Sequence, residues 1–431
     1  MKPTFVISSP FDTYSGYGAR SRDVIKAIIA TDKYNVKLLS QRWGSTPFGF
    51  CEKHPEFKNL LDLVIPLPLS QQPDIWAQIS VPNEFQTVGK YNIGFTAGME
   101  TTLVDGTWVE GMNRMDVNFV SSEHSKKAFL NSVYEKQDKQ GKVLQDSIKV
   151  TKPIEVLFEG VNLDTYYEIT KSNPNLELNL SLDSIKESFA YLSVGHWMPG
   201  EIGEDRKNIS LLIKAFYETF KNKSKKPALI LKTSQAGSSY MDRDEVLRKI
   251  QAIKDTVKSN NLPNVYLLHG EFTDDEINEL YNHSKVKAMV SLTKGEGFGR
   301  PLLEFSLSKK PIIVSNWSGH MDFLSNEFCL CLGGELKNVH PSAVQEKMIL
   351  AESQWFSPNH GEIGHSLKDM FENYKKYTDG GKRQAYKSKS EFSWDQMKTL
   401  LEDRLNNLIP DFPKQIELKL PKLELNLPKL K

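Results

Sequence analysis

Apolar segments that read as β-strands alternate with amphipathic helical segments in two successive series, and this alternation constrains the fold more than any other feature of the sequence. The first series opens with strand 4–8, a polar loop, a helix with Val24, Ile25 and Ile28 on one face, and strand 36–40. Further apolar runs follow at 63–66, 75–79, 93–96, 117–121 and 154–158. Strands that alternate with helices predict an α/β domain with a largely parallel sheet.

A second series starts near residue 189, beyond a polar stretch at 162–188 that has no clear period. Its predicted strands and helices are 190–195, 228–234, 265–270, 287–292 and 311–316, and 208–221, 242–259, 275–283 and 300–308. After residue 340 the pattern predicts only helices, at 342–351, 364–377, 380–390 and 394–408. Asp274 is expected to cap the helix that begins at 275.

The length of 431 residues favours two domains, because a single hydrophobic core stops growing at roughly 250–300 residues. We predict Rossmann-like domains at 1–175 and 186–390, with the stretch 162–188 between them. A helix at 391–409 and a basic tail at 410–431, rich in Leu and Lys, complete the sequence. The tail is expected to be a solvent-facing extended segment or edge strand. The alternative interpretation is a weakly basic arm that touches a partner.

Bulk charge selects no partner, since 55 basic and 54 acidic residues leave a net charge of +1. The three cysteines, Cys51, Cys329 and Cys331, do not form a disulfide framework and predict buried thiols in a reducing compartment. The N-terminal residues lack the apolar region of a signal peptide, and no window approaches about 18 uninterrupted apolar residues. We therefore expect a cytoplasmic protein without a membrane span.

Two glycine-rich turns precede predicted helices. The first contains Gly16 and Gly18 in the run Ser-Gly-Tyr-Gly. Glycines allow the backbone to approach a phosphate, and a helix N-terminus presents free N–H groups. An ordinary tight turn before a helix explains this run equally well.

The second turn, KGEGFGRP at 294–301, follows predicted strand 287–292. Pro301 suits a first helical turn, and Gly297 and Gly299 leave room for a diphosphate at the helix mouth. Glu296 in the loop and Glu304 in the helix supply two carboxylates, which are strong acceptors for sugar and ribose hydroxyls. We predict a phosphate- and hydroxyl-binding site here.

The run KGEGFGRPLLEFSLSKKPIIVSNWSGH resembles the Glu-x7-Glu motif of retaining glycosyltransferases of family 4, which have the GT-B fold. Residues 99–129 and 153–167 are similar to two further segments of that family, so the resemblance spans almost the whole chain. It implies an α/β GT-B fold in which an acceptor-side first domain faces a nucleotide-sugar-binding second domain across a donor cleft. It also implies that the helix near 394–408 crosses back onto the first domain, with 162–188 as one hinge.

The resemblance assigns catalytic roles to four residues. Glu296 would bind the transferred sugar, and Glu100 would face the reacting sugar or the acceptor. Lys207, or Arg206 in its place, would neutralise the leaving diphosphate without a metal. The implied reaction retains the anomeric configuration, with the donor phosphate assisting removal of the acceptor proton.

Donor binding is assigned to a second set of residues. Glu304 would bind the ribose hydroxyls of the nucleotide. The other expected donor contacts are Gly297, Phe298, Gly299, Arg300, Gly16, Gly18 and His196. The chain departs from the family at His196, where relatives usually carry Arg, and at Met99, where many carry His, so no general base is visible.

The expected co-substrate is a nucleoside-diphosphate sugar, such as a UDP-sugar, used by a hexosyl- or pentosyltransferase with no other cofactor. Asp242 and Asp244 superficially match the Asp-x-Asp metal motif. They stand at a predicted helix start, where acids complement the helix dipole. The histidines lack metal-binding spacing. No metal site is therefore predicted.

The acceptor stays unresolved between a glycan, a lipid-linked sugar and a base of viral DNA. The lysines at 126, 127, 136, 139 and 142 make 124–142 a basic segment, either a solvated helix face or a peripheral membrane contact. Aromatic residues Trp43, Phe48 and Phe50 could stack on a flipped base or form core or a sugar platform. A nucleotide-sugar epimerase and a non-enzymatic nucleotide- or sugar-binding protein are the competing functions.

Overall fold

The computed structural model describes residues 2–412 except 139, 172, 174, 175, 236 and 238. The predicted basic tail, from 413 onward, lies outside the described residues. Two α/β domains follow one another along the chain, and each is built on its own six-stranded parallel sheet. The expected fold class, two Rossmann-like domains, is confirmed.

The first sheet is formed by strands whose residues lie close to the predicted apolar runs. Its strands and the antiparallel hairpin β6–β7 are β1 (Thr4–Ser9), β2 (Asn35–Ser40), β3 (Ile75–Ile79), β4 (Tyr91–Phe95), β5 (Val117–Val120), β6 (Tyr134–Gln137), β7 (Val143–Ile148) and β8 (Ile154–Val156). The helices of this part are α1 (Gly16–Ala30), α2 (Phe50–Lys53), α3 (Gly106–Asn113) and α4 (Glu123–Asn131). The strand order is β2-β1-β3-β4-β5-β8.

The second domain repeats the plan with a different strand order. Its strands are β9 (Ala190–Val194), β10 (Ala228–Lys232), β11 (Val265–Leu268), β12 (Val286–Ser291), β13 (Ile312–Ser315), β14 (Leu330–Leu332), β15 (Gly334–Asn338) and β16 (Gln354–Pro358). The helices are α5 (Glu177–Asp183), α6 (Ile209–Phe220), α7 (Tyr240–Asp255), α8 (Asp274–Asn282), α9 (Arg300–Ser306), α10 (His360–Glu372), α11 (Thr378–Glu391) and α12 (Trp394–Leu408). The sheet runs β11-β10-β9-β12-β13-β14, and β15 and β16 form a separate antiparallel pair.

Both faces of the second sheet are covered, which explains why its strands are apolar at consecutive positions. Leu229 and Leu231 of β10 join one buried cluster, whereas Ala228 and Ile230 join the cluster on the opposite face. The strand order reverses between β9 and β12. In open parallel sheets ligands bind beyond the carboxyl ends of the strands at such a reversal. By this rule a ligand site is expected at the loops after β9 and β12.

Helix α12 returns from the second domain and packs on the first. Met397, Leu401 and Leu405 are almost fully buried in the core cluster that contains the strands of the first sheet. The chain crosses between the domains twice, and the two crossings are hydrogen-bonded to each other. The amide of Trp394 donates to the carbonyl of Val161 at 2.8 Å. The amide of Val161 donates to the carbonyl of Phe392 at 2.9 Å.

Two expectations about strands were wrong. The apolar run 63–66 is not part of a strand, since a 3-10 helix ends at Leu63. After residue 340, where only helices were expected, the chain also forms strand β16.

Three other local expectations were wrong as well. The predicted helix 342–351 is a short 3-10 turn followed by irregular chain, where Lys347 has a left-handed φ of 63° that a continuous helix excludes. Thr273, not Asp274, caps α8, through a capping box with Glu276. The basic segment 124–142 is not one helix, since α4 ends at Asn131 and the β6–β7 hairpin follows.

The stretch 162–188 also differs from its expected role. It includes α5, whose Leu178 and Leu182 are buried in the core of the second domain. Asn179 Nδ2 donates to Oε2 of Glu279 in α8 at 3.1 Å. Residues 177–185 therefore pack as part of the second domain, which begins before residue 186.

The packing of α12 leads to a stability prediction. Leu401→Ala should destabilise the protein by about 2–5 kcal/mol, because it removes a buried side chain and leaves a cavity. Equilibrium urea unfolding followed by tryptophan fluorescence measures this change. Asn407→Ala, on the exposed face of the same helix, should change stability by less than about 0.5 kcal/mol. Equal effects of the two substitutions would contradict the docking of α12.

Candidate functional site

The loop between β12 and α9 carries Glu296 beyond the carboxyl end of the second sheet. The amide of Glu296 donates to Oγ of Ser318 at 2.9 Å, and its carbonyl accepts from the amide of Gly319 at 3.0 Å. Both partners follow β13, so two neighbouring strand ends hold the acidic loop. Ser318 has a left-handed φ of 82°, a conformation that costs a non-glycine residue about 1–3 kcal/mol.

The carboxylate of Glu296 is buried and faces two cations. Its Oε1 accepts a hydrogen bond from Nζ of Lys207, and its Oε2 lies 3.7 Å from Nη1 of Arg206. Burial by itself raises the pKa of Glu296, but the two cations outweigh burial and hold the pKa below its ordinary value. Glu296 is therefore ionised at neutral pH.

The basic pair lies at the end of the long loop that follows β9. The carbonyl of Arg206 accepts from the amide of Lys294 at 2.8 Å, which ties this loop to the acidic loop. Nη1 of Arg206 also lies 3.1 Å from Oε1 of Glu100 in the first domain. The four expected catalytic residues thus share one ionic network that crosses the cleft.

Glu304 lies in α9 and is buried beside Arg300. Nε of Arg300 donates to its Oε1 at 2.9 Å, and the hydroxyl of Tyr281 donates to its Oε2 at 3.4 Å. Burial raises the pKa of Glu304 to about 7, although Arg300 opposes that effect. Nη1 of Arg300 also donates to Oδ2 of Asp23 in α1 at 2.6 Å, which makes a second ionic contact between the domains.

The glycine-rich loop touches the first domain directly. A Cβ on Gly297 would lie 2.5 Å from the carbonyl oxygen of Ala97. Oγ of Ser121 and Oγ of Ser125 donate to the carbonyl of Gly297 at 3.2 and 3.4 Å. The absence of a side chain at Gly297 therefore permits the close approach of the two domains.

The turn at the start of α1 lies on the first-domain side. A Cβ on Gly18 would collide with the carbonyl of Thr13, whereas a Cβ on Gly16 would meet nothing within 4 Å. Ser15 caps the helix by accepting from the amide of Gly18 at 2.9 Å. Between the glycines, the Tyr17 hydroxyl accepts from the amide of Ala97 at 3.2 Å. The turn is thereby joined to the segment that contacts Gly297.

The remaining expected donor contacts differ in which of their groups a ligand could reach. Phe298 is buried against Phe323, with ring centroids 5.0 Å apart, so only its backbone is available to a ligand. Gly299 has a left-handed φ of 98°, which favours glycine. Nδ1 of His196 lies 3.2 Å from Oγ of Ser234. Burial, reinforced by the nearby basic pair, lowers the pKa of His196.

Sequence reasoning missed three residues that hold the site. Asp23 accepts a hydrogen bond from Arg300, and Ser318 accepts one from the amide of Glu296. The imidazole of His320 is buried, and its Nε2 donates to the carbonyl of Ser315 at 2.7 Å. Ser318 and His320 stand in the quoted run 294–320, but their roles depend on a loop conformation that has no sequence signature. Asp23 looks like an ordinary helix-surface acid.

Within the described ranges, no group of three or more His, Cys, Asp or Glu could hold a metal ion. Asp242 lies in the first turn of α7, where it accepts from the amide of Gln235 at 3.2 Å and pairs with Nε2 of His269 at 2.6 Å. Among the helices that the structure describes, none combines the length and the apolar composition that a membrane span requires.

Residues 202–360 match the family model Glycosyl transferases group 1. The chain is a glycosyltransferase with the GT-B fold. The matched range of this glycosyltransferase includes Arg206, Lys207, Glu296 and Glu304. His196 and the candidate residues of the first domain lie outside it. Among curated protein sequences, none matches this chain.

Solved structures of low sequence identity share the fold of the whole glycosyltransferase. Sucrose-phosphate synthase from Thermosynechococcus elongatus is 12% identical with a TM-score of 0.61, and the match covers 95% of this chain and 99% of that one. A glycosyltransferase from Rickettsia africae is 15% identical with a TM-score of 0.59, with coverage of 95% and 100%. HepE from Anabaena, solved in complex with UDP-glucose, is 13% identical with a TM-score of 0.56, with coverage of 94% and 100%.

The close approach at Gly297 can be tested with a single methyl group. Gly297→Ala should keep each domain folded but hold the domains apart, because the new Cβ occupies the space next to Ala97. Small-angle X-ray scattering should show a larger radius of gyration than for the wild-type protein. Gly16→Ala, where a Cβ meets nothing within 4 Å, should leave the scattering unchanged. A wild-type radius of gyration for Gly297→Ala would argue against the contact in solution.

Proposed function

We propose that this glycosyltransferase moves a sugar from a nucleoside-diphosphate sugar to an acceptor, with retention of configuration and without a metal ion. The observation that carries the proposal is the ionic network of Glu100, Arg206, Lys207 and Glu296 at the strand-order reversal between β9 and β12. It places a basic pair and a carboxylate together at the mouth of a helix. A UDP-sugar is the donor that we propose, since the similar HepE structure contains UDP-glucose.

Departure of a nucleoside diphosphate requires stabilisation of negative charge on phosphate oxygens. Lys207 and Arg206 supply positive charge, and the N–H groups at the start of α9 add the partial charge of a helix N-terminus. On this proposal the diphosphate lies between the basic pair and the glycine-rich loop. Glu296 then accepts hydrogen bonds from the hydroxyls of the transferred sugar.

Glu304 is proposed to accept hydrogen bonds from the ribose hydroxyls. It lies on the side of α9 that faces Tyr281 and is separated from the Lys207–Glu296 pair by the first turn of the helix. Gly16, Gly18 and Tyr17 supply the opposing wall in the first domain. In this arrangement the nucleotide is bound mainly by the second domain, and the acceptor approaches from the first.

The acceptor side is proposed to include the loop after β2. The ring of Trp43 stacks on Tyr17 with centroids 4.0 Å apart, and Phe48 is 47% exposed. Phe50 instead packs against His54 and under the guanidinium of Arg22. A glycan, a lipid-linked sugar and a DNA base are the acceptors to compare. Because α4 ends at Asn131, residues 124–142 do not form the long basic helix that would favour a lipid-linked acceptor.

The function is tested by incubating the protein with UDP-glucose and a panel of these three acceptor classes and analysing the products. Glu296→Gln should lower kcat by about 100-fold or more, because a neutral amide replaces a buried carboxylate that faces the sugar. Glu335→Gln, an exposed acid on β15, is the matched control. Isomerised UDP-sugar formed without acceptor would instead support an epimerase, and wild-type transfer rates in Glu296→Gln would contradict the assigned role.

The pKa of Glu304, raised to about 7 by burial, gives a pH prediction. Below this pKa the carboxyl group is protonated and accepts ribose hydroxyls more weakly, so donor affinity should fall as pH decreases from 8 to 6. Titration calorimetry with UDP-glucose measures the dissociation constant at each pH. Glu304→Gln should bind more weakly at pH 8 and lose this pH dependence. An unchanged pH dependence in the variant would assign the effect to another group.

A further inference from the structure

Arg300 divides its guanidinium group between two carboxylates from different domains. Nε donates to Oε1 of Glu304 at 2.9 Å, and Nη1 donates to Oδ2 of Asp23 at 2.6 Å. The side chains of Arg300 and Asp23 are only 24% and 15% exposed. Both ion pairs are thus shielded from solvent, where charge interactions are stronger than at the surface.

The division determines how the guanidinium group of Arg300 is oriented toward Glu304. A guanidinium group that has no other partner commonly binds a carboxylate through two parallel hydrogen bonds, which occupy both oxygens. Here Nε is directed to Glu304 and Nη1 to Asp23, and these two bonds together fix the plane of the guanidinium group. Within the described residues, Nη2, which would form the second bond of such a pair beside Nε, makes no hydrogen bond to Glu304. Oε2 of Glu304 is left with the Tyr281 hydroxyl at 3.4 Å.

Asp23 is itself fixed within the first domain. Its carbonyl accepts a hydrogen bond from Nε1 of Trp394 at 3.3 Å, at the start of α12. The neighbouring Arg20 donates to the carbonyl of Phe158 at 2.8 Å, and Glu159 is buried nearby. Asp23 therefore presents its carboxylate from a rigid corner of α1 rather than from a free surface.

We propose that Asp23 is a positioning residue of the donor site. It draws part of the Arg300 guanidinium away from Glu304 and so keeps one carboxylate oxygen available for a ligand with paired hydroxyls, the ribose of the donor. The effect requires the closed arrangement, because Asp23 belongs to the first domain and Glu304 to the second. This inference rests on the proposed function, in which Glu304 binds the nucleotide.

The test compares the binding of UDP with that of 2′,3′-dideoxyuridine diphosphate by titration calorimetry at pH 7.5. The two ligands differ only in the ribose hydroxyls. Wild-type protein is expected to prefer UDP by about tenfold or more, since unpaired buried polar groups disfavour the analogue. Asp23→Ala should reduce this preference to about twofold or less, because Arg300 can then occupy both oxygens of Glu304.

Two further variants separate positioning from simple support of the fold. Asp23→Asn retains the shape of the side chain without its charge, and it should show an intermediate preference even if Asp23→Ala unfolds. In the Arg300→Met background, Asp23→Ala should alter UDP affinity by less than about twofold, since residues that act through one another are not additive. Asp74→Ala removes an aspartate paired with Lys90 at 2.7 Å inside the first domain and is the matched control.

The outcomes are distinguishable. An unchanged preference for UDP in both Asp23 variants, or equal effects of Asp23→Ala with and without Arg300, overturns the inference. Wild-type protein that binds the two ligands equally removes the ribose role of Glu304 and with it the inference, but leaves nucleotide-sugar transfer standing. Wild-type protein that binds neither UDP nor UDP-glucose overturns the proposed function itself.

Discussion

The pairing of buried charges across the cleft is the interaction on which the arrangement of this molecule depends. Glu296 could not stay ionised in its buried position without Lys207 and Arg206, because an unpaired buried charge is strongly disfavoured. Arg206 also contacts Glu100, and Arg300 contacts Asp23, so the same side chains that form the site join the two domains. Closure of the domains and assembly of the site are therefore one event.

The two kinds of contact between the domains have different physical consequences. Helix α12 is anchored on the first domain by Met397, Leu401 and Leu405, which are buried apolar side chains. The cleft instead uses hydrogen bonds and ion pairs, such as Thr102 with Gln354 at 2.9 Å. Polar contacts can be exchanged for water at little net cost, whereas removal of α12 would expose apolar surface. The expected motion is hence a hinge at the paired crossings near Val161.

The sequence was most informative where the physics is local. The apolar run at 228–234 predicts strand β10, and Pro301 after a glycine-rich turn predicts the start of α9. The helix predicted at 342–351 was wrong because helical spacing of apolar residues does not reveal the left-handed backbone at Lys347. Likewise, Thr273 and Asp274 are both good capping residues, and only the observed geometry chooses between them.

The candidate site was predictable to a different degree. Glu296 and Glu304 could be singled out because two acids flank a glycine-rich helix start, and the resemblance to a family suggested Lys207 and Arg206. Asp23 could not, since its importance depends on a partner on another domain that only the folded chain brings to 2.6 Å. The fold class is confirmed, while the roles of the individual site residues stay predictions.

The charges of Lys207 and Glu296 neutralise each other in the site, and under the proposed function this pairing sets the order in which the parts of the donor bind. Lys207 and Glu296 are each other's nearest charged partner. A diphosphate that binds Lys207 replaces Glu296, and the sugar hydroxyls that follow replace Lys207 as the partner of Glu296. Lys207 keeps an anionic partner during this exchange, and Glu296 keeps Arg206 and gains hydrogen bonds from the sugar, so neither ion is isolated in a buried position. A free sugar has no group that compensates Lys207, so the nucleotide part must bind before Glu296 becomes available.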